Sequence, residues 1–305
     1  MQMNHFPIYA GSLQPQTSVL FDAFVLVGGK HLPCFRKAET VDLERLKKLH
    51  ASNTTKLFIP VQEEPAYFEY LRHRLESLKA AKSPLQFLLG TLSTLTENLP
   101  RTLEEESSFR ATSSLVSLAS EYLRSHPNAL KAEISELKGS NDIIEHSAKV
   151  AILSLALAPR LGLQDDQELC DMGVAALLHD LGKLSMNLPF GVSLDDLPRS
   201  ITQAYLSHPS LSVELISEKR YINVRIRRLI GDHEEMGQGE GFPAKKNVSE
   251  LSLSSQVLNL CNDFERYATI NNTSLLKAFK PYTKDKRGVF DSLHLLRLGE
   301  MLSGK

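Results

Sequence analysis

Ala175-Ala176-Leu177-Leu178-His179-Asp180-Leu181-Gly182-Lys183 is the stretch on which the fold of this chain turns. From Met172 through Leu178 the residues are apolar on nearly every side, which predicts a central, buried helix. An imidazole and a carboxylate at the end of such a helix are costly unless both find partners, and a metal ion is an effective partner. Gly182 is expected to stop the helix, with Lys183 immediately after it. Around this stretch, from Asn141 onward, Val150, Leu153, Leu157 and Leu161 recur at helical spacing. Further helices are expected over 211–217, 224–231 and 253–267, with short loops and no strand alternation. The C-terminal part therefore reads as an all-α bundle.

The N-terminal part reads differently. Phe21 to Val27 is strand-like, Gly28-Gly29 is a turn, and His31 to Phe35 can return as a hairpin partner. Thr40 is the expected N-cap of a helix through Leu43, Leu46 and Leu49. Lys56 to Val61 is a second strand-like run, and Pro65 suits the first turn of a helix through Tyr67, Tyr70, Leu71 and Leu75. The expectation is a mostly α protein: a small α/β domain over 1–100, a helical linker over 101–138 with its most polar part near Pro100–Ser108, and an all-α metal-binding domain over 139–305.

Composition narrows the function classes. Among 305 residues, 35 Lys and Arg nearly balance 36 Asp and Glu, and 42% are hydrophobic. That excludes a disordered tail protein and gives no global reason to expect a nucleic-acid polymer or a membrane surface as partner. Cys34, Cys170 and Cys261 are odd in number and far apart, which supports neither a disulfide framework nor a zinc ribbon. The start lacks a secretory build, and no run approaches the roughly 18 apolar residues of a membrane span. A cytoplasmic location is expected.

Ten histidines in 305 residues make the spacing of His146, His179, His208 and His233 uninformative by itself. Their settings carry the signal. His146 follows the polar Gly139–Asn141 turn, with Asp142 one helical turn earlier. His208-Pro209 reads as a helix entrance. His233 closes a helix and is flanked by Asp232, Glu234 and Glu235, with Gly-Gln-Gly-Glu-Gly-Phe-Pro at 237–243. Singly, each histidine reads more simply as a cap or a surface residue. Together, with carboxylates and on a helical background, they suit a cluster of two divalent ions.

The words EHSAKV, AALLHDLGKL, SHPSLSVELI, DHEEMGQGEGFP and SLSSQVLNLCNDFERYA, with GVFDSLHLLRL near the end, resemble the HD-GYP subgroup of the HD metal-dependent phosphohydrolase superfamily. The likeness is to an unconventional member that lacks the GYP tyrosine. It covers a little over half of the chain, in the family's order. It implies an HD-type helical bundle and a metal-dependent hydrolase, a phosphodiesterase of cyclic dinucleotides with cyclic di-GMP foremost. The implied cofactors are two divalent metal ions, iron ahead of manganese. By the same resemblance His146, His179, Asp180 and His208 are metal ligands, with Asp180 bridging, and Asp142 falls where the family carries an additional glutamate. Lys183 contacts phosphate, and Gly241, Phe242 and Pro243 stand for Gly-Tyr-Pro in substrate binding. The family's adjacent histidine pair becomes His233 with Glu234 in the ungapped register, or Asp232 with His233 if one residue is inserted. Its late aspartate falls at Asn262, with Asp263 adjacent.

In the mechanism so implied, Asp180 bridges two ions that activate water, and Lys183 steadies charge on the phosphate. The matched ligands include no thiolate, which argues against a zinc–sulfur site. The altered histidine pair, Asn262 and Phe242 leave a rival, a catalytically degenerate sensor that binds nucleotide or partner without turnover. A third reading is a hydrolase of a smaller nucleotide. The N-terminal domain is read as a regulatory or docking unit for a protein partner, or as a packing element of a homodimer.

Overall fold

The computed structural model describes residues 5–52, 54–78, 84–127 and 131–303, without the side chains of residues 50 and 132. The chain divides into two compact units, Met1–Tyr122 and Leu123–Lys305. The segment 101–138 expected as a linker contributes helices to both.

The first unit is built on a four-stranded antiparallel sheet of order β1-β4-β2-β3, with β1 His5–Tyr9, β2 Ala23–Val27, β3 Lys30–Phe35 and β4 Lys56–Pro60. The β2–β3 hairpin turns at Gly28 and Gly29, both at positive φ (54° and 77°), a conformation that glycine adopts without a side-chain penalty. Strand β1 is an addition to the sequence reading; its burial alternates only in part, so period two is weak there. Helix α1 spans Leu43–Ala51. Its first turn is capped by Asp42, whose Oδ1 accepts from Arg45 N at 2.7 Å. Thr40, the expected cap, is instead extended and bridged to Ser18. Helices α2 (Glu64–Glu76), α3 (Pro84–Glu97), α4 (Leu99–Thr102) and α5 (Glu106–Ser125) follow. The polar stretch near Pro100 thus holds a short helix. Tyr67 of α2 is wholly buried and donates to Ser12 Oγ at 2.7 Å, tying α2 to the turn after β1. Leu26, Val27 and Leu32 of the hairpin stay exposed.

The second unit is helical: α6 Lys131–Glu136, α7 Ile143–Leu157, α8 Asp166–Leu178, α9 Leu181–Ser185, α10 Arg199–Leu215, α11 Val224–Asp232, α12 Leu253–Ile270, α13 Leu275–Asp285 and α14 Ser292–Ser303. Helices α7 and α8 pack on each other at the centre, flanked by α11 and α12. From Leu169 through Leu178 every residue of α8 is buried, which includes the apolar run Met172–Leu178 read as central and also Asp171. Among the described residues no helix is long and apolar enough to cross a membrane.

Two local readings change. Helix α8 already ends at Leu178, and Gly182 lies inside the short α9. Glycine is needed there because α10 comes close: a Cβ at position 182 would lie 2.4 Å from His208 O. His208-Pro209 is not a helix entrance but sits within α10. Proline is tolerated because the carbonyl it leaves without an N–H partner, Tyr205 O, faces His208 Nδ1 instead. Ser212 of the same helix stitches α10 to the α8–α9 break, accepting from Gly182 N and donating to His179 O, each at 2.8 Å.

The close approach at Gly182 is open to test. Gly182→Ala is expected to lower unfolding free energy by about 1–3 kcal/mol through overpacking, read as a reduced urea midpoint; an unchanged midpoint would show that α10 gives way.

Candidate metal centre

Each histidine is aimed by a main-chain or carboxylate partner on its Nδ1. The last carbonyls of a helix have no intrahelical donor. His179 Nδ1 meets Ala176 O at 2.7 Å at the end of α8, and His233 Nδ1 meets Ile230 O at 2.6 Å at the end of α11. Tyr205 O plays the same part for His208, for the reason Pro209 supplies. A carbonyl only accepts, so Nδ1 of these three rings carries the proton and Nε2 carries the lone pair. His146, in the first turns of α7, directs Nδ1 to the buried Glu265 Oε2 in a short contact.

The four Nε2 atoms then converge. His146 and His179 Nε2 are 3.3 Å apart, and His208 and His233 Nε2 are 2.9 Å apart. Asp180 lies between the pairs. Its Oδ2 is 3.8 Å from His146 Nε2 and 3.4 Å from His179 Nε2, and its Oδ1 is 3.2 Å from His208 and 3.5 Å from His233. Two sets of donors within 4.8 Å of one another result, His146-His179-Asp180 and Asp180-His208-His233, all buried.

These residues fit a metal. Lone pairs facing each other at such distances repel unless a cation lies between them, and donors at right angles on one divalent ion stand about 3 Å apart. Burial lowers the pKa of His146 and His233, and burial with the neighbouring Lys183 pushes His208 down to about 3, which favours the neutral ring with a free lone pair in these three. Asp180 Oδ1 is buried and accepts no hydrogen bond among the described residues, although Lys183 Nζ lies 2.9 Å away as an ion pair. Burial opposes the charge of Asp180, but His179 and Lys183 hold its carboxyl well below the usual range.

Other sequence candidates fall at varied distances from this cluster. Asn262 Oδ1 is 3.0 Å from His146 Nε2, and its Nδ2 donates to His233 O at 3.3 Å. Glu234 Oε1 is 3.8 Å from both His208 and His233 Nε2 and 3.4 Å from Lys183 Nζ. Asp232 turns away, accepting from Ser255 Oγ at 3.1 Å and pairing with Lys246. Asp263 also lies outside both donor sets, held by Tyr282 Oη at 3.0 Å and Lys286 Nζ at 3.1 Å. Asp142 is the N-cap of α7, its Oδ1 accepting from Ile144 N at 2.9 Å.

The 237–243 loop is fastened beside the centre. Glu235 accepts from Ala244 N and Lys246 N, and Phe242 N donates to Glu234 O at 3.1 Å. Gly241 packs so closely that a Cβ would stand 2.4 Å from Met236 N. The Phe242–Pro243 peptide is cis, and the Phe242 ring centroid is 5.9 Å from that of His208.

Three neighbours escape the sequence reading. Glu265 orients His146, Arg266 pairs with Glu234, and the Tyr205 ring lies 4.9 Å from Lys183 Nζ. Glu265 and Arg266 fall three and four residues after Asn262, one helical turn on. That spacing was the available signal.

Comparison with known proteins agrees with this geometry. The model of the HD domain family matches residues 125–285. The chain is 28% identical over 158 residues to the "Cyclic di-GMP phosphodiesterase PA4108" of Pseudomonas aeruginosa, covering 50% of this chain and 37% of that protein. It is 26% identical over 120 residues to the "3'3'-cGAMP-specific phosphodiesterase 3" of Vibrio cholerae, covering 39% of this chain and 26% of that one. The chain thus matches little more than a third of the first relative's length and about a quarter of the second's. The solved structure titled "Bd1817, a HDG"Y"P protein from Bdellovibrio bacteriovorus" shares the fold, with a TM-score of 0.80 at 22% identity over 98% of this chain and 100% of that one. On the match to more than half of its length, and on the histidine–aspartate centre, the chain belongs to the HD domain family.

Proposed function

We propose that this chain is a metal-dependent phosphodiesterase of cyclic dinucleotides, with cyclic di-GMP the first substrate to test. The observation that carries the reading is the pair of buried donor sets sharing Asp180. His146, His179 and Asp180 would hold one divalent ion, with the Asn262 amide oxygen alongside; Asp180, His208 and His233 would hold the other. Imidazole and carboxylate donors suit iron or manganese, in that order. Such ions lower the pKa of water and neutralise phosphate charge.

The chain's own residues supply the rest. Asp180 offers one carboxylate oxygen to each side and so sets the distance between the two halves of the site. Lys183, wholly buried, keeps its ammonium beside Asp180, where it neutralises a non-bridging phosphate oxygen. Burial works against that charge, but Asp180, Tyr205 and Glu234 outweigh it and raise the Lys183 pKa. Phe242, partly exposed, would offer a base an apolar ring but no hydroxyl. Glu265, wholly buried, fixes the ring plane of His146.

A sensor that binds without turnover is the second reading. It is favoured by Asn262, a neutral amide beside His146 where a carboxylate would bind a cation more strongly. Assay of the reducing, iron-loaded protein against cyclic di-GMP and 3'3'-cGAMP separates the two. Appearance of a linear dinucleotide is expected; an intact nucleotide that nonetheless binds by calorimetry would establish the sensor instead.

Asp180→Ala is expected to abolish metal retention by elemental analysis while helical content persists, and full metal content in that variant would refute bridging. Glu265→Gln is expected to weaken metal affinity about 10–100-fold, the usual cost of losing a partner that orients a ligand histidine; an unaltered affinity in competition with a chelator would remove Glu265 from the site.

A further inference from the structure

Beside the metal centre lies a set of buried charges that ion binding and the Lys183 contact do not explain. Glu234, 1% exposed at its side chain, makes a short contact with Arg266 Nη1 and stands 3.4 Å from Lys183 Nζ. Arg266, 13% exposed, also reaches Asp263 Oδ1 at 3.2 Å and Tyr205 Oη at 3.3 Å. Asp263 is in turn held by Tyr282 and Lys286. The guanidinium is therefore fixed between two carboxylates, and Lys183 is fixed between Asp180, Glu234 and the Tyr205 ring.

A carboxylate already met by a guanidinium and an ammonium has little charge left to attract another cation. An ion seated on Glu234 would also face both positive groups at close range, which is repulsive at low dielectric. Arg266, in contrast, has five N–H donors, more than its contacts to Glu234, Asp263 and Tyr205 require. Its planar fork suits phosphate oxygens, where Lys183 offers a point charge. Arg266 follows Asn262 by four residues on α12, so one helix face delivers both groups to the same site.

We propose that Glu234 is not an ion ligand but the socket of a two-cation clamp, Lys183 with Arg266, that grips a phosphate group of the substrate beside Asp180. The proposal rests on the reading that the site takes a phosphate ester. Arg266 is thereby a phosphate-binding residue, and Glu234 a positioning residue acting through it.

The test uses the full chain with three variants, Arg266→Met, Arg266→Lys and Glu234→Gln. Metal content is measured by elemental analysis and affinity for inorganic phosphate by calorimetry. All three variants are expected to keep the metal content of the parent. Arg266→Met and Glu234→Gln are expected to weaken phosphate binding at least about tenfold, the loss of a charge-assisted hydrogen bond, with Arg266→Lys restoring part of it. In turnover of a cyclic dinucleotide the same loss falls on KM more than on kcat. Loss of metal on Glu234→Gln would make Glu234 a ligand and overturn the proposal, as would parental phosphate affinity in Arg266→Met. Should Glu234→Gln fail to fold, the two Arg266 variants decide. A parent that retains no metal refutes the metal-dependent reading separately, and the phosphate comparison still decides the clamp.

Discussion

A single buried carboxylate organises the second unit. Asp180 is 1% exposed and has imidazole nitrogens on both sides, two facing each oxygen, with one ammonium to offset its charge. A charge so placed is tolerable only if everything around it is arranged for it. The α8–α9 break, the close approach of α10 at Gly182 and the helix ends at His179 and His233 all serve that arrangement. Each brings a donor to the same few ångströms.

The aiming of the histidines follows from an ordinary property of helices, their unsatisfied terminal carbonyls. His179 and His233 cap those carbonyls through Nδ1 and, by doing so, turn Nε2 into the centre. His208 achieves the same in mid-helix because Pro209 withdraws one backbone donor. Capping and metal binding are therefore not competing explanations for these residues. The cap on one nitrogen is what makes the other a good ligand, since it sets both tautomer and ring orientation.

Around this centre the carboxylates divide by partner. Asp180 faces imidazoles, whereas Glu234 and Asp263 face Arg266 and Lys286, and Asp232 faces Lys246 and Ser255. Acids that look equivalent in the chain thus have different electrostatic tasks. The end of the 237–243 loop is stitched to the same region through Glu235, whose carboxylate accepts from the backbone amides of Ala244 and Lys246 just beyond it. Position and partners distinguish these acids; residue type does not.

The helical character of the second unit and its central α8 are determined by local pattern, whereas the grouping of His146, His179, Asp180 and His208 was legible only through the family resemblance of the words that contain them. Apolar periodicity and helix-terminating chemistry depend on neighbours a few residues apart. The β2–β3 hairpin is readable for the same reason, while β1 lacks a clear alternation. Which acid stands beside His233, and that Glu265 and Arg266 belong to the centre at all, were decided only by the tertiary structure. Those contacts join residues 32 to 119 positions apart in the chain. No local propensity encodes them, because the pairing depends on how α12 packs against α7 and α11.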